Sequence, residues 1–141
     1  MVSSTNKFKI YPEYNLVIEL HSGTLNLTSY LNFKKKLFTH KEFKSGMNYF
    51  INLKKVNFDA PTKDIEKFAD FNNQRPSFSE RRKIALVTDT PSQVVSTTIY
   101  KSLLSNHNQD IEIFSTNEKA LSWLITEPIT QARYKEVLAE L

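Results

Sequence analysis

The chain has 141 residues, 40% of them hydrophobic and 24% charged, with a net charge of +4, so it has the composition of one soluble globular domain. It contains two glycines, Gly23 and Gly46, which are too far apart for either type of glycine-rich nucleotide-binding loop. The absence of cysteine excludes disulfides, thiolate metal sites and a cysteine nucleophile.

The first two apolar segments predict an antiparallel hairpin. Residues 7–11 alternate between polar and apolar side chains, residues 12–15 have turn chemistry, and residues 16–20 are rich in β-branched side chains. Residues 21–24 are expected to end the second strand.

The rest of the chain alternates between helical spacing and short apolar runs. Strands are predicted at residues 49–53, 84–88 and 110–114. Four helices are predicted. The first covers about residues 27–40, and the second begins at the cap candidates Asp59 and Thr62 and ends before Pro76. The third carries Val95, Ile99 and Leu103 on one face, the fourth covers residues 118–124, and a single helical turn is predicted at residues 77–80.

This order predicts an α/β fold with a mixed, mostly parallel five-stranded sheet, an N-terminal antiparallel hairpin and four flanking helices. Residues 1–125 are expected to form the domain, and residues 126–141 a C-terminal amphipathic helical extension. Because an isolated helix of ~12 residues is marginally stable in water, packing on the domain is favoured over contact with a partner.

Positive charge is concentrated in residues 1–83, which hold 15 Lys and Arg against 8 Asp and Glu, whereas residues 84–141 hold 4 against 7. Such asymmetry is typical of a face for nucleic acid or anionic lipid, or of an ordinary solvated surface. The consecutive Lys34, Lys35 and Lys36 would span about 200° of a helix and form no single stripe. The solvated surface is therefore favoured, and nucleic acid is not the expected partner.

The N-terminus is polar, and no apolar run approaches the ~20 residues of a membrane span. Residues 1–6 lack the apolar stretch of a secretory signal. We expect a cytoplasmic protein without membrane insertion.

Catalytic chemistry has few candidates. His21 follows the second predicted strand, at the edge where open α/β sheets bind ligands, and Asp89 follows the fourth, so the pair could orient an imidazole. There is no nucleophile elbow, and no two histidines have metal-ligand spacing. We expect no enzyme, no catalytic residue, no metal and no cofactor.

Hydroxyls at predicted helix starts, at Thr24, Thr62, Ser92 and Thr116, are candidates for anion binding, although plain capping is favoured. The polar residues that follow the predicted strands are expected at the edge of the sheet formed by the carboxyl ends of the strands, which we call the rim. The candidate partner- or ligand-binding residues are His21, Thr24, Lys54, Lys55, Asp59, Thr62, Asp89 and Ser92.

Several segments together resemble the SpoIIAA-like family, which is related to the STAS domains of sulfate transporters and anti-sigma-factor antagonists. They are residues 22–24, 37–47, 49–53, 83–88 and 113–124, and the resemblance covers roughly residues 8–125. It implies a mixed sheet flanked by helices, in small bacterial proteins that bind partners or apolar ligands. The antagonists carry a phosphorylated serine in an Asp-Ser-Ser/Thr-Gly context, and residues 53–62 contain no such tetrapeptide, so that switch is not carried over to Thr62.

The leading functional hypothesis is therefore a non-enzymatic STAS-like regulatory or protein-interaction domain, with a homodimer left open. A first alternative is a carrier of an apolar, lipid-like small molecule between sheet and helices. Six aromatic residues are its candidate pocket lining: Phe33, Phe38, Phe50, Phe68, Phe71 and Trp123. A second alternative is an anion- or nucleic-acid-binding domain that uses the basic portion of the chain.

Overall fold

A computed structural model describes residues 4–58, 62–74, 80–105 and 108–141. Its strands form one five-stranded sheet in the order β1-β2-β3-β4-β5. The strands are β1 (Thr5–Tyr11), β2 (Leu16–Thr24), β3 (Asn48–Asn57), β4 (Arg82–Val87) and β5 (Gln109–Phe114). β1 is antiparallel to β2, and every other pair of neighbours is parallel. The predicted mixed sheet with an N-terminal hairpin is confirmed.

The helices lie on both faces of this sheet. They are α1 (Leu27–Phe38), α2 (Thr62–Asn73), α3 (Pro91–Leu103), α4 (Asn117–Leu124) and α5 (Gln131–Ala139), and a short 3-10 turn at Pro12–Tyr14 joins β1 to β2. From β2 onward each crossover advances the chain by one strand in the same direction. Right-handed crossovers in one direction place their helices on one face, so α1, α2 and α3 cover the first face. α4 and α5 follow the last strand and pack in the core of the second face.

Each face has its own hydrophobic core. Val17 of β2 and Tyr49 of β3 pack with Leu37 of α1 in the first core. Ile18 and Phe50, their neighbours along the same strands, belong to the second core. This alternation is the period-two geometry of a strand that is covered on both sides.

The C-terminal helix α5 packs on the second face. Val137 is fully buried in the core that also contains Tyr11 and Leu124. Arg133 donates hydrogen bonds to Glu13 at 2.8 Å and to Glu136 at 2.7 Å, the former joining α5 to the β1–β2 connection. No helix in the described segments is long and apolar enough to cross a bilayer.

The prediction that the second strand covers residues 16–20 and is broken by residues 21–24 is wrong. β2 continues to Thr24, because residues 22–24 pair with residues 55–57 of β3. The register shifts between Leu20 and Ser22. Gly23, the next residue, has φ 80°, which is in the region that favours glycine. Lys54 and Lys55 therefore lie within β3, not in a loop after it.

The predicted face of α3 is also wrong. Val95 is 59% exposed and Leu103 is 37% exposed, whereas the buried residues of α3 are Gln93, Ser96 and Thr97. This helix therefore turns its polar face toward the sheet. Residues 77–79 of the predicted single turn lie outside the described residues.

Candidate ligand-binding site

A cavity of about 80 Å³ lies between the sheet and helices α1–α3. Its position is toward the carboxyl ends of β2 and β3. Its lining is mainly aliphatic and aromatic and consists of His21, Leu25, Tyr30, Ile51, Leu53, Asn57, Phe58, Ile65, Phe68, Leu86, Ser96, Thr97 and Tyr100. The three helices and the central strands thus all contribute to the lining of this cavity.

The small residues of α3 leave room for this cavity. Ser96 and Thr97 stand on the buried face of the helix, where larger apolar side chains would fill the space. The Thr97 hydroxyl donates a hydrogen bond to the Gln93 carbonyl at 2.8 Å. The Thr97 hydroxyl is therefore satisfied within the helix and needs no hydrogen-bond partner in the cavity.

Aromatic rings close the cavity where α1 meets α2. The Tyr30 ring stands edge-on to the Phe68 ring at 5.1 Å and to the Phe71 ring at 6.1 Å between centroids. Phe33 packs edge-on against His21 at 5.0 Å. Two other aromatic residues predicted for the pocket, Phe50 and Trp123, belong to the core on the opposite face of the sheet.

A second cavity of about 40 Å³ lies on the same face, toward the amino ends of β3 and β4. It shares the walls Tyr30, Ile51 and Tyr100 with the first cavity. Its further lining is Lys34, Phe38, Tyr49, Phe71, Asn72, Arg82 and Ile84. The first cavity therefore has a mainly apolar lining, whereas the lining of the second includes two cationic side chains.

A buried ion pair stands beside these cavities. Glu19 of β2 is fully buried on the α1–α3 side, where it accepts hydrogen bonds from the Lys34 ammonium of α1 and from His21 Nε2 at 2.8 Å. A charge in the middle of an apolar strand is the sequence signal for such a pair. Neither Glu19 nor Lys34 is among the residues that the sequence predicts for the site.

Aromatic rings surround the Lys34 ammonium. The nitrogen lies 4.7 Å from the ring centre of Tyr49, 5.5 Å from that of Tyr30 and 5.7 Å from that of Phe38. Lys35 and Lys36 are exposed, so the three consecutive lysines do not act as one cationic surface. Ring faces and the Glu19 carboxylate together compensate the burial of this cation.

These contacts keep Glu19 ionised. Burial by itself would raise the pKa of Glu19, but the positive charge of Lys34 and the hydrogen bond from His21 outweigh it and lower the pKa to about 2. An ionised carboxylate only accepts hydrogen bonds, so His21 Nε2 carries the proton that it shares with Glu19.

Both ring nitrogens of His21 are engaged inside the protein. Nε2 donates to Glu19 Oε1, and Nδ1 lies 2.7 Å from Oδ1 of Asn6. The imidazole therefore contributes its ring to the cavity wall. It has no nitrogen left to take a proton from a molecule in the cavity.

Tyr100 of α3 separates the two cavities with a neutral polar group. Asn72 Nδ2 donates a hydrogen bond to the Tyr100 hydroxyl at 3.3 Å, and Gln109 Nε2 donates to Asn72 Oδ1 at 2.7 Å. Burial raises the pKa of Tyr100 above its ordinary value. The phenol therefore stays protonated at neutral pH.

Gln93 explains why the polar face of α3 is buried. Its side-chain oxygen accepts from the backbone N–H groups of Asp89 at 2.6 Å and Thr90 at 3.1 Å. Its side-chain nitrogen donates to the carbonyls of Lys54 at 3.0 Å and Val56 at 2.9 Å. One amide thus ties the β4–α3 loop to the carboxyl end of β3.

The hydroxyls predicted at helix starts are not the capping groups of α1 and α3. Thr24 is the exposed last residue of β2, and α1 is capped by Asn26, whose side chain accepts from Ser29 N–H. Ser92 lies inside α3, which Thr90 caps by accepting from Gln93 N–H. Thr62 is the first residue of α2.

The remaining predicted residues do not join His21 at the cavity. Asp89 is exposed at the start of the β4–α3 connection, and Asp59 lies outside the described residues. Lys54 and Lys55 line a wider groove of about 270 Å³ that also reaches the last two residues of the chain, and His21 is part of its lining too. The structure therefore brings His21, Lys54 and Lys55 of the predicted residues together at this groove.

Metal ligands do not cluster in the part of the chain that the structure describes, where no three His, Asp or Glu side chains could together hold an ion. The polar groups that line the cavities are instead a lysine, an arginine, the His21 imidazole, amides and hydroxyls. Such groups bind organic molecules through hydrogen bonds and charge.

Comparison with known proteins supports the fold. No family model and no curated protein matches the sequence. Among solved structures, the chain is similar to an uncharacterised protein of the DUF3478 family with a SpoIIAA-like fold from Shewanella loihica PV-4, at 14% sequence identity and a TM-score of 0.54. The similarity covers 88% of this chain and 95% of the other. The chain therefore has a SpoIIAA-like α/β fold, as the resemblance in its sequence implied.

Proposed function

We propose that this SpoIIAA-like chain is a non-enzymatic binding domain that holds a small apolar molecule between its sheet and helices α1–α3. The observation that carries the proposal is the cavity of about 80 Å³ with a mainly aliphatic and aromatic lining. Apolar cavities with a few placed polar groups are the usual form of small-molecule sites.

The size of the cavity limits the ligand. One water needs about 10–15 Å³ of such volume, so the cavity has room for roughly five to eight water-sized groups. A short alkyl chain or a single ring fits this space. A large lipid would need helices α1–α3 to move away from the sheet.

The chemistry around the cavity favours binding without reaction. Both nitrogens of His21 are hydrogen bonded, and the Glu19 carboxylate is occupied by Lys34 and His21. A general base needs an available atom within hydrogen-bond reach of the substrate. His21 and Glu19 instead stabilise the wall of the site.

A cavity-filling variant tests the proposal. Ser96→Leu adds a larger side chain at the cavity wall, and Thr98→Leu adds the same side chain on the exposed face of the same helix. We expect octan-1-ol to bind the natural chain, as measured by calorimetry and by amide chemical-shift changes in NMR spectra.

Ser96→Leu should weaken this binding by about tenfold or more, because filling the site removes contact area worth over 1 kcal/mol. Thr98→Leu should leave it unchanged. Absence of octan-1-ol binding to the natural chain, or equal binding to both variants, would contradict the proposal.

A regulatory protein-interaction role is a second candidate, favoured by apolar exposure at the start of α3. Val94 is 43% exposed and Val95 is 59% exposed, next to the Gln93 side chain that holds the carboxyl end of β3. Val95→Glu should abolish co-purification of a specific partner from the native cell, and Lys55→Glu should weaken it. Thr98→Glu is the control on the same helix, and a partner retained by all three variants would contradict this role.

A further inference from the structure

We infer that the groove lined by Lys7, Lys54 and Lys55 is a second ligand site, which binds a small hydroxylated molecule through its phosphate monoester group. The groove lies on the α4–α5 face of the sheet, because its lining residues Leu20 and Leu141 pack on the core of that face. The apolar cavity of the proposed function lies on the opposite face. The inference therefore goes beyond the proposed function and does not depend on it.

An irregularity in β3 brings two adjacent lysines to this groove. Over a stretch where β2 advances by two residues β3 advances by three, so β3 contains one extra residue. Leu53 and Val56 both pack in the core of the first face, although residues three apart in a regular strand face opposite sides. Lys54 and Lys55, which lie between them, therefore both face the second side and line the groove.

Side-chain amides satisfy the backbone groups of this bulge. Lys54 N–H donates a hydrogen bond to Asn52 Oδ1 at 3.0 Å, and the Lys54 carbonyl accepts one from Gln93 Nε2 at 3.0 Å. Gln93 Nε2 also donates to the Val56 carbonyl at 2.9 Å. Specific contacts thus hold the bulge, which is typical of bulges that direct side chains toward a binding site.

A third lysine lines the groove from the opposite side. Lys7 of β1 is paired with Leu20 of β2, and Thr5 is paired with Ser22 in the next row. β2 therefore forms the floor of the groove, with β1 on one side and β3 on the other. Because two strands on either side of a third lie about 10 Å apart, a ligand above β2 has lysines on both sides.

Carboxylates do not neutralise these three lysines. In the described segments, no carboxylate lies within ion-pair distance of the ammonium groups of Lys7, Lys54 or Lys55. Glu140 is the acidic side chain in the lining, and it pairs with Lys9 at 3.5 Å. The groove therefore carries an excess of positive charge and attracts anions.

The charge and the polar lining favour a phosphate monoester over a carboxylate. At neutral pH a phosphate monoester has about two negative charges and three acceptor oxygens, whereas a carboxylate has one charge and two oxygens. Thr5, Ser22 and Asn52 supply hydroxyl and amide groups that can hydrogen bond to a hydroxylated molecule. At about 270 Å³ the groove has room for roughly 18–27 water-sized groups, which accommodates a pentose phosphate.

Probes with the same five-carbon skeleton test the class of ligand. Ribose 5-phosphate, ribonate and ribose carry about two, one and no negative charges, and calorimetry and NMR amide shifts at pH 7 measure their affinities. We expect ribose 5-phosphate to bind about tenfold more tightly than ribonate, because charge-assisted hydrogen bonds to the lysines are added, and ribose to bind most weakly. Equal affinities, or no binding of ribose 5-phosphate, would overturn the inference.

Vesicles distinguish a free phosphate from a lipid headgroup. Phosphatidic acid in phosphatidylcholine vesicles presents the same phosphate monoester at a membrane surface. We expect ribose 5-phosphate to bind and the chain not to sediment with these vesicles, because the groove is lined by polar groups suited to a hydroxylated molecule. Co-sedimentation without binding of ribose 5-phosphate would overturn the inference.

Two pairs of adjacent lysines locate the site. Lys54→Gln with Lys55→Gln removes two charges from the groove, whereas Lys35→Gln with Lys36→Gln removes two exposed charges from α1. The first double variant should bind ribose 5-phosphate about tenfold or more weakly, and the second should bind it as the natural chain does. Equal losses would show a general attraction to a basic chain and would overturn the inference.

A single variant keeps the inference testable if the lysine pair of β3 is needed for folding. Lys7→Gln removes a charge from the other side of the groove and should weaken the binding of ribose 5-phosphate about threefold or more. An unchanged affinity would overturn the inference. Octan-1-ol should bind the Lys54 and Lys55 double variant as it binds the natural chain, and a loss of that binding would contradict the assignment of two separate sites.

Discussion

Replacing Lys34 by methionine isolates the contribution of the buried ion pair to stability. Lys34→Met keeps a long side chain between the rings of Tyr30, Phe38 and Tyr49 but removes the cation that faces Glu19. Glu19 then remains fully buried with the hydrogen bond from His21 alone. An uncompensated buried charge is among the most destabilising changes in a protein interior.

The magnitude follows from the pKa of Glu19. The native contacts lower this pKa from its ordinary value of 4.5 to about 2, which corresponds to about 3 kcal/mol of stability at neutral pH. Because the folded-state pKa is depressed, this contribution is fully present above pH 4.5 and is lost as the pH falls toward 2. Because burial raises the pKa of Glu19 once Lys34 is removed, we expect Lys34→Met to lose about 3 kcal/mol or more of unfolding free energy at pH 7.

Urea unfolding followed by circular dichroism between pH 3 and pH 8 measures the effect. The natural chain should lose stability as the pH falls below 4.5. In Lys34→Met burial raises the pKa of Glu19, so this carboxyl is protonated already at higher pH. The difference in stability between the variant and the natural chain should therefore shrink as the pH falls. Lys35→Met, at the exposed neighbouring position, is the control and should change stability by under about 0.5 kcal/mol.

Two results would refute the reasoning. One is a loss below about 1 kcal/mol in Lys34→Met at pH 7, and the other is a pH profile parallel to that of the natural chain. In the double variant Glu19→Leu with Lys34→Met no buried charge is left unpaired, so about half of the loss or more should be recovered.

Two further predictions concern the parts of the fold that frame the site. Gln93→Leu removes four hydrogen bonds that join the β4–α3 loop to β3, so it should lower the free energy of unfolding in urea by about 2–4 kcal/mol. The control Ser92→Ala should lower it by under about 1 kcal/mol, and equal losses in the two variants would contradict the bridging role of Gln93. Val137→Ala leaves a void at the fully buried contact of α5 and should lower the free energy of unfolding by about 1–3 kcal/mol. Ala139→Gly, at the exposed end of the same helix, should lower it by less. An unchanged stability of Val137→Ala would show that α5 does not stabilise the domain.

The succession of elements could be predicted because each one is marked locally. Alternating or continuous apolar runs mark the strands, and helical spacing marks the segments between them, so the five-stranded mixed sheet follows from the order of the patterns. The ends of β2 and β3 could not be predicted in this way. Residues 21–24 and 54–57 are mostly polar, and they belong to strands through pairing with neighbouring strands: residues 22–24 pair with residues 55–57, and residues 21 and 22 also pair with β1.

The candidate site was predicted less well, because its members are separated in the sequence. Of the predicted residues, His21 lines the first cavity, and of the predicted aromatic lining, Phe68 does so and Phe38 and Phe71 line the second. Lys34 looked like one of three solvated lysines, and no sequence pattern singled out Gln93. Their partners, Glu19 and the carbonyls of β3, are 15 and up to 39 residues away.

The sequence by itself determined the fold class, the strand hairpin and the exclusion of nucleotide-loop and thiol chemistry, since these depend on local pattern and composition. Tertiary structure alone decided which face of α3 is buried and where the cationic side chains lie. Helical periodicity ranks faces by hydrophobicity, whereas in the folded chain the polar face of α3 is buried because Gln93 satisfies backbone groups of β3 and the β4–α3 loop. The small residues beside Gln93 then leave the space between sheet and helices that forms the candidate site.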